Sequence, residues 1–257
     1  MWNDPVESRR PPTVRPYEAL ASVYDLVMDH VDYEEWAAYI RSLLADFHAE
    51  PETVLEMGCG TGSFALEFDR LLDCTYHATD GSPEMIRVAR EKASLFGADV
   101  EFSVAQFSSL DPEPAYDLIL LLYDGVNYLL TASEIEKTFR RVLSALRPKG
   151  MFIFDQSTPA NSVNNADVFE DSGKGGHASY VRRSRFDVET GLHHTSFDLV
   201  IEGEAYREHH VQRAYTVEEM TDIIRRAGFE VVESFEDFTR TPASSASERV
   251  QWLLRAA

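Results

Sequence analysis

The sequence predicts an α/β fold built on an open, doubly wound parallel sheet. Three observations carry that prediction. Strand-like and helix-like segments alternate five times between residues 53 and 155. The run YDLILLLYD, 116–124, is apolar without interruption, as expected of a parallel strand covered on both faces. The first strand-like run, VLEM, opens directly onto three glycines at alternate positions, Gly58, Gly60 and Gly62.

The elements follow in order. Residues 1–16 are polar and proline-rich and read as a frayed, flexible tail. Residues 17–47 read as helical: Leu20, Val23, Tyr24, Val27 and Val31 recur at spacings of three and four, and Trp36, Tyr39, Ile40, Leu43, Leu44 and Phe47 repeat the pattern. Pro51 breaks it. Residues 53–57 form a first strand, followed by a helix through Phe64, Ala65, Phe68 and Leu72. CTYHATD, 74–80, is a second strand ending on Asp80. The next helix has Ser82 as N-cap, Pro83 in its first turn and Gly97 as its stop. DVEFSVA is a third strand and 116–124 a fourth. A helix from about Ser133 to Leu146 precedes a fifth strand, MFIFD.

After residue 156 the pattern changes. A long polar loop leads into three alternating segments, SYVRRSRFDV, HHTSFDLVIE and EHHVQRAYT, the first two joined by the hairpin signal ETG. They read as a small antiparallel sheet inserted into the larger domain. A helix with Thr216 and Glu219 as capping box and Gly228 as stop follows, and two final strands close the chain. The expected organisation is a tail (1–16), an N-terminal helical cap (17–50), an α/β core (51–156 and 215–257) and an antiparallel lid (157–214).

Composition narrows the partners. The 257 residues carry 44 Asp plus Glu against 24 Lys plus Arg, a net charge of −20. Such a surface repels phosphate backbones, so no nucleic-acid partner is expected. The acid is spread along the chain, which fits a solubilising surface or a protein working at high salt. No apolar run approaches the roughly 20 residues that span a bilayer, so no membrane partner is expected. Two cysteines without a CxxC pair give neither a disulfide framework nor a cysteine metal site, and a cytoplasmic location is the default. A homo-oligomer stays open.

In an open α/β sheet, ligands bind beyond the carboxyl ends of the strands, where the winding reverses. One glycine suffices for a tight turn there; three in register point to a ligand against the main chain. A dinucleotide site wants G-x-G-x-x-G, but Ser63 stands where the third glycine or alanine belongs, and Glu56 would repel a pyrophosphate. A carboxylate there suits a cationic amine. Asp80, ending the second strand, is placed to accept from ribose hydroxyls. An amine plus an adenosine ribose, without phosphate, describes S-adenosylmethionine.

VLEMGCGTGSFAL followed by ATDGSPEMIRVAR resembles the first two motifs of the class I S-adenosylmethionine-dependent methyltransferases, and YEALASVYD, LILLLYDGVNYLL, VLSALRPKGMFIFD and YTVEEMTDIIRRAGFEVV extend the resemblance over nearly the whole chain. It implies a Rossmann-like sheet of order 3-2-1-4-5-7-6 with the last strand antiparallel. It implies that Glu56 orients the glycine loop or the methionine amine. Gly58, Cys59, Gly60, Thr61 and Gly62 would lie against the methionine portion, Asp80 with Gly81 beside it would hold the ribose, and Met85 would pack near adenine. Where the family has Gly-Asp-hydrophobic after its third strand, this chain has AQF: Gln106 replaces the acid, with its amide carbonyl as acceptor, and Phe107 would offer its backbone N–H. Leu122 and Tyr123 would lie beside the sulfonium arm.

The expected reaction is in-line methyl transfer to nitrogen or oxygen of a small molecule. The proline pair of base-amino methyltransferases is missing from LYDGVNY, and Asp124 and Asp155 end neighbouring strands without a compact ligand set, so no metal is expected. The chain is most similar to glycine/sarcosine and amino-sugar N-methyltransferases. By that similarity Tyr24, Tyr17 and Tyr33 would close over the cofactor, and Tyr123, Asp124, Asn127 and Tyr128 would face the acceptor, with Tyr24, Tyr123, Asp124 and Asn127 taken as the catalytic set. The pairs His193-His194 and His209-His210 would stand on separate parts of the inserted sheet, one of them available as a base. A cofactor-binding protein without methyl transfer is the alternative of a different class, and a dinucleotide oxidoreductase a third reading, disfavoured at Ser63 and Glu56.

Overall fold

The computed structural model describes residues 11–111, 113, 115–165 and 170–256. Residues 1–10 of the expected tail and 166–169 of the expected polar loop lie outside the described residues.

A 3₁₀ turn, Leu20–Val23, runs into a single helical turn, α1 (Tyr24–Val27), and a break precedes α2 (Tyr33–Asp46). The expected helical cap is therefore two pieces. The Asp32 side chain starts α2 by accepting from the Glu35 N–H at 2.8 Å. Then come β1 (Thr53–Met57), α3 (Ser63–Asp69), β2 (Thr75–Asp80), α4 (Pro83–Phe96), β3 (Val100–Val104), β4 (Tyr116–Leu121), α5 (Ala132–Ala145) and β5 (Leu146–Ser157). Ser82 and left-handed Gly97 bound α4 as the sequence indicates. A Thr131–Glu134 capping box sets the start of α5. Next are α6 (Pro159–Asn164), β6 (Glu170–Gly175), β7 (Ala178–Asp187), β8 (Leu192–Ile201), β9 (Glu204–Arg213), α7 (Val217–Ala227), β10 (Phe229–Glu236) and β11 (Arg249–Ala256).

Seven strands form one sheet in the order β3-β2-β1-β4-β5-β11-β10, with β11 antiparallel to both neighbours and the rest of the sheet parallel from β3 to β5. This is the expected order. The apolar run of β4 explains itself: Leu118 and Leu120 face the layer of α2, α3 and α4, whereas Ile119 and Leu121 face α5 and α7.

The polar stretch after residue 156 departs from expectation. Thr158 and Pro159 start a helix, and Glu170–Gly175 pair with β7, so the inserted sheet has four strands, β6-β7-β8-β9, instead of three. Pairing, not composition, makes β6 a strand. Residues 12–14, expected within the tail, lie along β9: the Val14 N–H donates to the Arg207 carbonyl and the Arg207 N–H to the Pro12 carbonyl, both at 2.9 Å. Leu20, Val23 and Val27 then pack on Tyr180, Phe197 and Leu199 of the inserted sheet. The N-terminal segment thus belongs to the insertion and α2 to the core. Among the described residues no helix is long and apolar enough to cross a membrane.

Candidate functional site

The carboxyl ends of β1, β2 and β4 open into two cavities. One, of 350 Å³, reaches from the glycine loop under residues 15–18; the other, of 420 Å³, lies between the β4 end and the inserted sheet. Four tyrosines, Tyr17, Tyr24, Tyr123 and Tyr128, line both and form the wall between them. Burial pushes all four hydroxyls above the usual tyrosine range, so they stand as neutral O–H groups at physiological pH.

The glycine loop divides by role. Gly58 and Gly60, both at positive φ, present bare backbone to the smaller cavity. Gly62 does not line it: a Cβ there would come within 2.8 Å of Phe102 on β3 and 3.1 Å of Ala89 on α4, so this glycine serves the packing of the α3 start on β3 and α4. Cys59 is buried, and its N–H donates to the Thr79 carbonyl at 2.9 Å. The Thr61 hydroxyl donates to Asp25 at 2.6 Å, away from the cavity.

Glu56 sits beneath the loop, 2% exposed, accepting from the Tyr76 hydroxyl at 3.0 Å. It lines neither cavity. Burial pushes its carboxyl up to about 8. Near neutral pH it is mostly protonated, so the standing carboxylate that the sequence suggests for an amine is not provided by this residue. Asp80 does line the smaller cavity; its oxygens accept from the Gly60 N–H at 2.9 Å and the Ser82 N–H at 2.8 Å, and burial pushes it up despite those bonds. Gly81, Met85, Gln106, Phe107 and Leu122 share that cavity. The Gln106 amide donates to the Gly81 carbonyl at 3.1 Å, which leaves its side-chain carbonyl as an acceptor. A Cβ on Gly81 would strike the same amide at 2.8 Å.

Tyr123 and Asp124 are consecutive non-glycine residues in left-handed conformation, at φ 57° and 48°. Such backbone persists where surrounding structure enforces it, commonly at ligand sites. Here Arg249 does so: it pairs with Asp124 at 2.9 Å and with buried Asp155, which also accepts the Asp124 N–H at 3.0 Å. Gln212 donates to the other Asp124 oxygen at 2.9 Å. Asp124 faces the larger cavity but is held as an ion-pair partner. Asn127 is also spent: its amide donates to the Ser157 and Arg213 carbonyls at 2.9 and 2.7 Å and its carbonyl accepts from the Ser157 N–H at 3.1 Å. It bolts the β4 end to β5 and β9 and is not a helix cap. Tyr33 lines neither cavity and packs on Tyr123, ring centres 5.3 Å apart.

The histidine pairs are not apart, as the sequence suggests. His194 stacks on His209 at 5.4 Å, because the register sets His209 opposite Ser196 and His210 opposite Thr195. His193 and His210 line the larger cavity. Buried Glu208 was not singled out by the sequence, although E-H-H at 208–210 puts Glu208 and His210 on one face of a strand. Its carboxylate pairs with His210 Nε2 at 3.0 Å and accepts the N–H groups of Tyr17, Ala19 and Leu20 at 2.7, 2.7 and 2.8 Å. Arg249 gave no sequence signal. Among the described residues no three His, Cys, Asp or Glu are grouped to hold a metal ion.

Residues 54–150 match a family model described as a methyltransferase domain. The Bacillus subtilis (strain 168) protein named "Putative methyltransferase YqeM" is 32% identical over 249 residues, which span 91% of this chain and 94% of that protein. The chain belongs to the class I S-adenosylmethionine-dependent methyltransferases. A methyltransferase of this class from Clostridium acetobutylicum ATCC 824 shares the fold with a TM-score of 0.79 at 21% identity, over 93% of this chain and 98% of that one. So does CalS10, an amino pentose methyltransferase from Micromonospora echinaspora solved with the cofactor bound, with a TM-score of 0.71 at 17% identity, over 91% and 97%.

The smaller cavity fits the methyltransferase cofactor on its own chemistry. Bare backbone at Gly58 and Gly60 admits close approach, Asp80 retains acceptor capacity for hydroxyls, and the side-chain charges around it are Arg15, Glu18, Asp80 and Glu84. Arg15 is already paired with Glu18 at 3.0 Å. That balance disfavours a diphosphate and favours a cation.

Proposed function

We propose that this methyltransferase binds S-adenosylmethionine in the smaller cavity and a small polar acceptor in the larger one, and transfers the methyl group to an acceptor nitrogen or oxygen across the tyrosine wall. The shared wall carries this reading: among the described residues the two cavities meet at Tyr17, Tyr24, Tyr123 and Tyr128 and at no other residue. The bound cofactor supplies a methyl group on a positively charged sulfur, a good leaving group. What remains for the protein is to align the acceptor atom and to exclude water, and alignment alone is worth several orders of magnitude.

The residue roles follow. Asp80 holds the ribose hydroxyls, Met85 and Phe107 flank the adenine, and the Gln106 carbonyl accepts from its amino group. Tyr24 overhangs Gly60, its ring 3.7 Å from where a Cβ would stand, and shields the methionine arm. Tyr123 is fixed by its left-handed turn and by Trp36, ring centres 4.4 Å apart; its buried hydroxyl has no hydrogen-bond partner among the described residues and is free to bond a ligand. The N-terminal segment up to Val27 and the insertion (157–214), which pack on each other, act as a lid over the core, to which α2 belongs. An acceptor cavity of 420 Å³ suits a sugar- or amino-acid-sized molecule, in keeping with the fold it shares with the amino pentose enzyme.

The test is methyl transfer from methyl-labelled S-adenosylmethionine to a panel of small amines, amino sugars and polyols beside transfer RNA, DNA and protein pools. Label in a small-molecule fraction supports the reading. Label in a macromolecular pool alone contradicts it.

A further inference from the structure

Glu208, His210, Tyr128 and Tyr17 form a continuous hydrogen-bonded chain from the buried interior of the inserted sheet to the wall between the cavities. His210 Nε2 stands 3.0 Å from the Glu208 carboxylate, His210 Nδ1 stands 3.0 Å from the Tyr128 hydroxyl, and that hydroxyl bonds the Tyr17 hydroxyl. The ends fix the direction of the chain. Glu208 is 0% exposed and takes three main-chain N–H groups besides His210. Burial pushes its carboxyl up, but the bonds from His210 and from Leu20, Tyr17 and Ala19 outweigh that and hold it below the usual carboxylate range. An ionised carboxylate only accepts, so Nε2 donates to it, and in the neutral ring that the relay requires Nδ1 accepts from Tyr128. The Tyr128 oxygen then accepts from the Tyr17 O–H. The remaining lone pair of the Tyr17 oxygen is left at the wall that both cavities share.

We infer that this chain is a proton relay, in which Tyr17 takes the proton that the acceptor must lose and His210 stores it. The inference rests on the assignment of the larger cavity to the acceptor. As the acceptor nitrogen or oxygen bonds the methyl carbon, the carbon–sulfur bonding pair leaves with sulfur. The acceptor N–H or O–H proton passes to the Tyr17 oxygen, the Tyr17 proton to Tyr128, and the Tyr128 proton to His210 Nδ1. The result is an imidazolium beside the Glu208 carboxylate, which loses its extra proton to water through the larger cavity, which His210 lines. Tyr17 is the group that touches the acceptor; Glu208 is a positioning residue that fixes the tautomer of His210 and, through its N–H bonds, the place of Tyr17. Phe197 packs edge-on against the imidazole, 5.2 Å between ring centres.

The deciding experiment needs no acceptor. Protein labelled with ¹⁵N-histidine is studied by long-range ¹H–¹⁵N NMR at pH 7.5, the His210 signals being assigned by their loss in His210→Gln. The relay predicts a neutral ring protonated at Nε2, with an Nδ1 resonance that moves toward that of a non-bonded nitrogen in Tyr128→Phe. A ring protonated at Nδ1, or a cationic ring at that pH, overturns it. With any panel member that turns over, Tyr128→Phe lowers the rate at pH 7 by about a hundredfold, the deficit shrinks toward pH 9, and S-adenosylhomocysteine affinity stays within about threefold. An equal loss at every pH marks the chain as structural and also overturns the relay. A panel without any acceptor would count against the proposed substrate class, and the NMR result would still decide the relay.

Discussion

Asp80 supports the loop that it serves. Its two oxygens hold the Gly60 and Ser82 N–H groups, and their remaining lone pairs are proposed to hold the ribose. Replacing Asp80 by Ala removes charge-assisted bonds worth about 1.5–3 kcal/mol each, so S-adenosylhomocysteine affinity should fall at least about tenfold by calorimetry; unchanged affinity contradicts the ribose assignment. Glu56 makes the opposite case. Its carboxyl, ordinarily near 4.5, titrates at about 8 in the fold. The unfolded chain therefore loses this proton first as pH rises, and the stability that the neutral form contributes is fully present below about 4.5 and lost as pH climbs through 8. Glu56→Gln keeps a neutral acceptor for Tyr76 and cannot ionise. Its melting temperature should gain on the wild type steadily between pH 5 and pH 9, whereas a gap that does not change with pH would show that Glu56 is ionised throughout.

At the scale of elements, the glycine loop separates binding from packing. Gly62→Ala drives a methyl group into Phe102 and Ala89 at positive φ and should cost about 2–4 kcal/mol in urea unfolding, while the folded fraction keeps its cofactor affinity. Gly60→Ala, also at positive φ, carries that backbone cost of about 1–2 kcal/mol but no clash, its nearest atom being Tyr24 at 3.7 Å, so it should lose less stability than Gly62→Ala and more cofactor affinity. The reverse ranking would contradict the division. Much of this frame is legible in the sequence because local chemistry decides it: Ser82, Gly97, Thr216 and Gly228 cap helices through their own side chains or backbone, and the β4 run reports burial on two faces. What sequence misses is decided by distant partners. Glu170–Gly175 is polar and becomes a strand only by pairing with β7. Asn127 reads as a catalytic residue and does line the larger cavity, but the Ser157 and Arg213 carbonyls take both its amide N–H bonds. Asp124 reads as a member of the catalytic set, and it does face the larger cavity, but Arg249, 125 positions away, pairs with it.

Over the whole molecule the charge is −20, and self-repulsion opposes the compact state. Salt at 1 M shortens the screening length to about 3 Å, and the exposed ion pairs it weakens are individually worth little. The melting temperature should therefore rise between 0.1 M and 1 M KCl; a fall would mean that surface pairing outweighs repulsion. The same molecule is organised as two cavities joined at four tyrosines, and methyl transfer as proposed requires the cofactor's sulfur at that junction. A crystal structure of the protein with S-adenosylhomocysteine tests this most directly. The account predicts adenosine in the 350 Å³ cavity, with its ribose hydroxyls on Asp80 and the sulfur at the wall of Tyr17, Tyr24, Tyr123 and Tyr128. Adenosine in the other cavity, or a sulfur turned away from that wall, would contradict it.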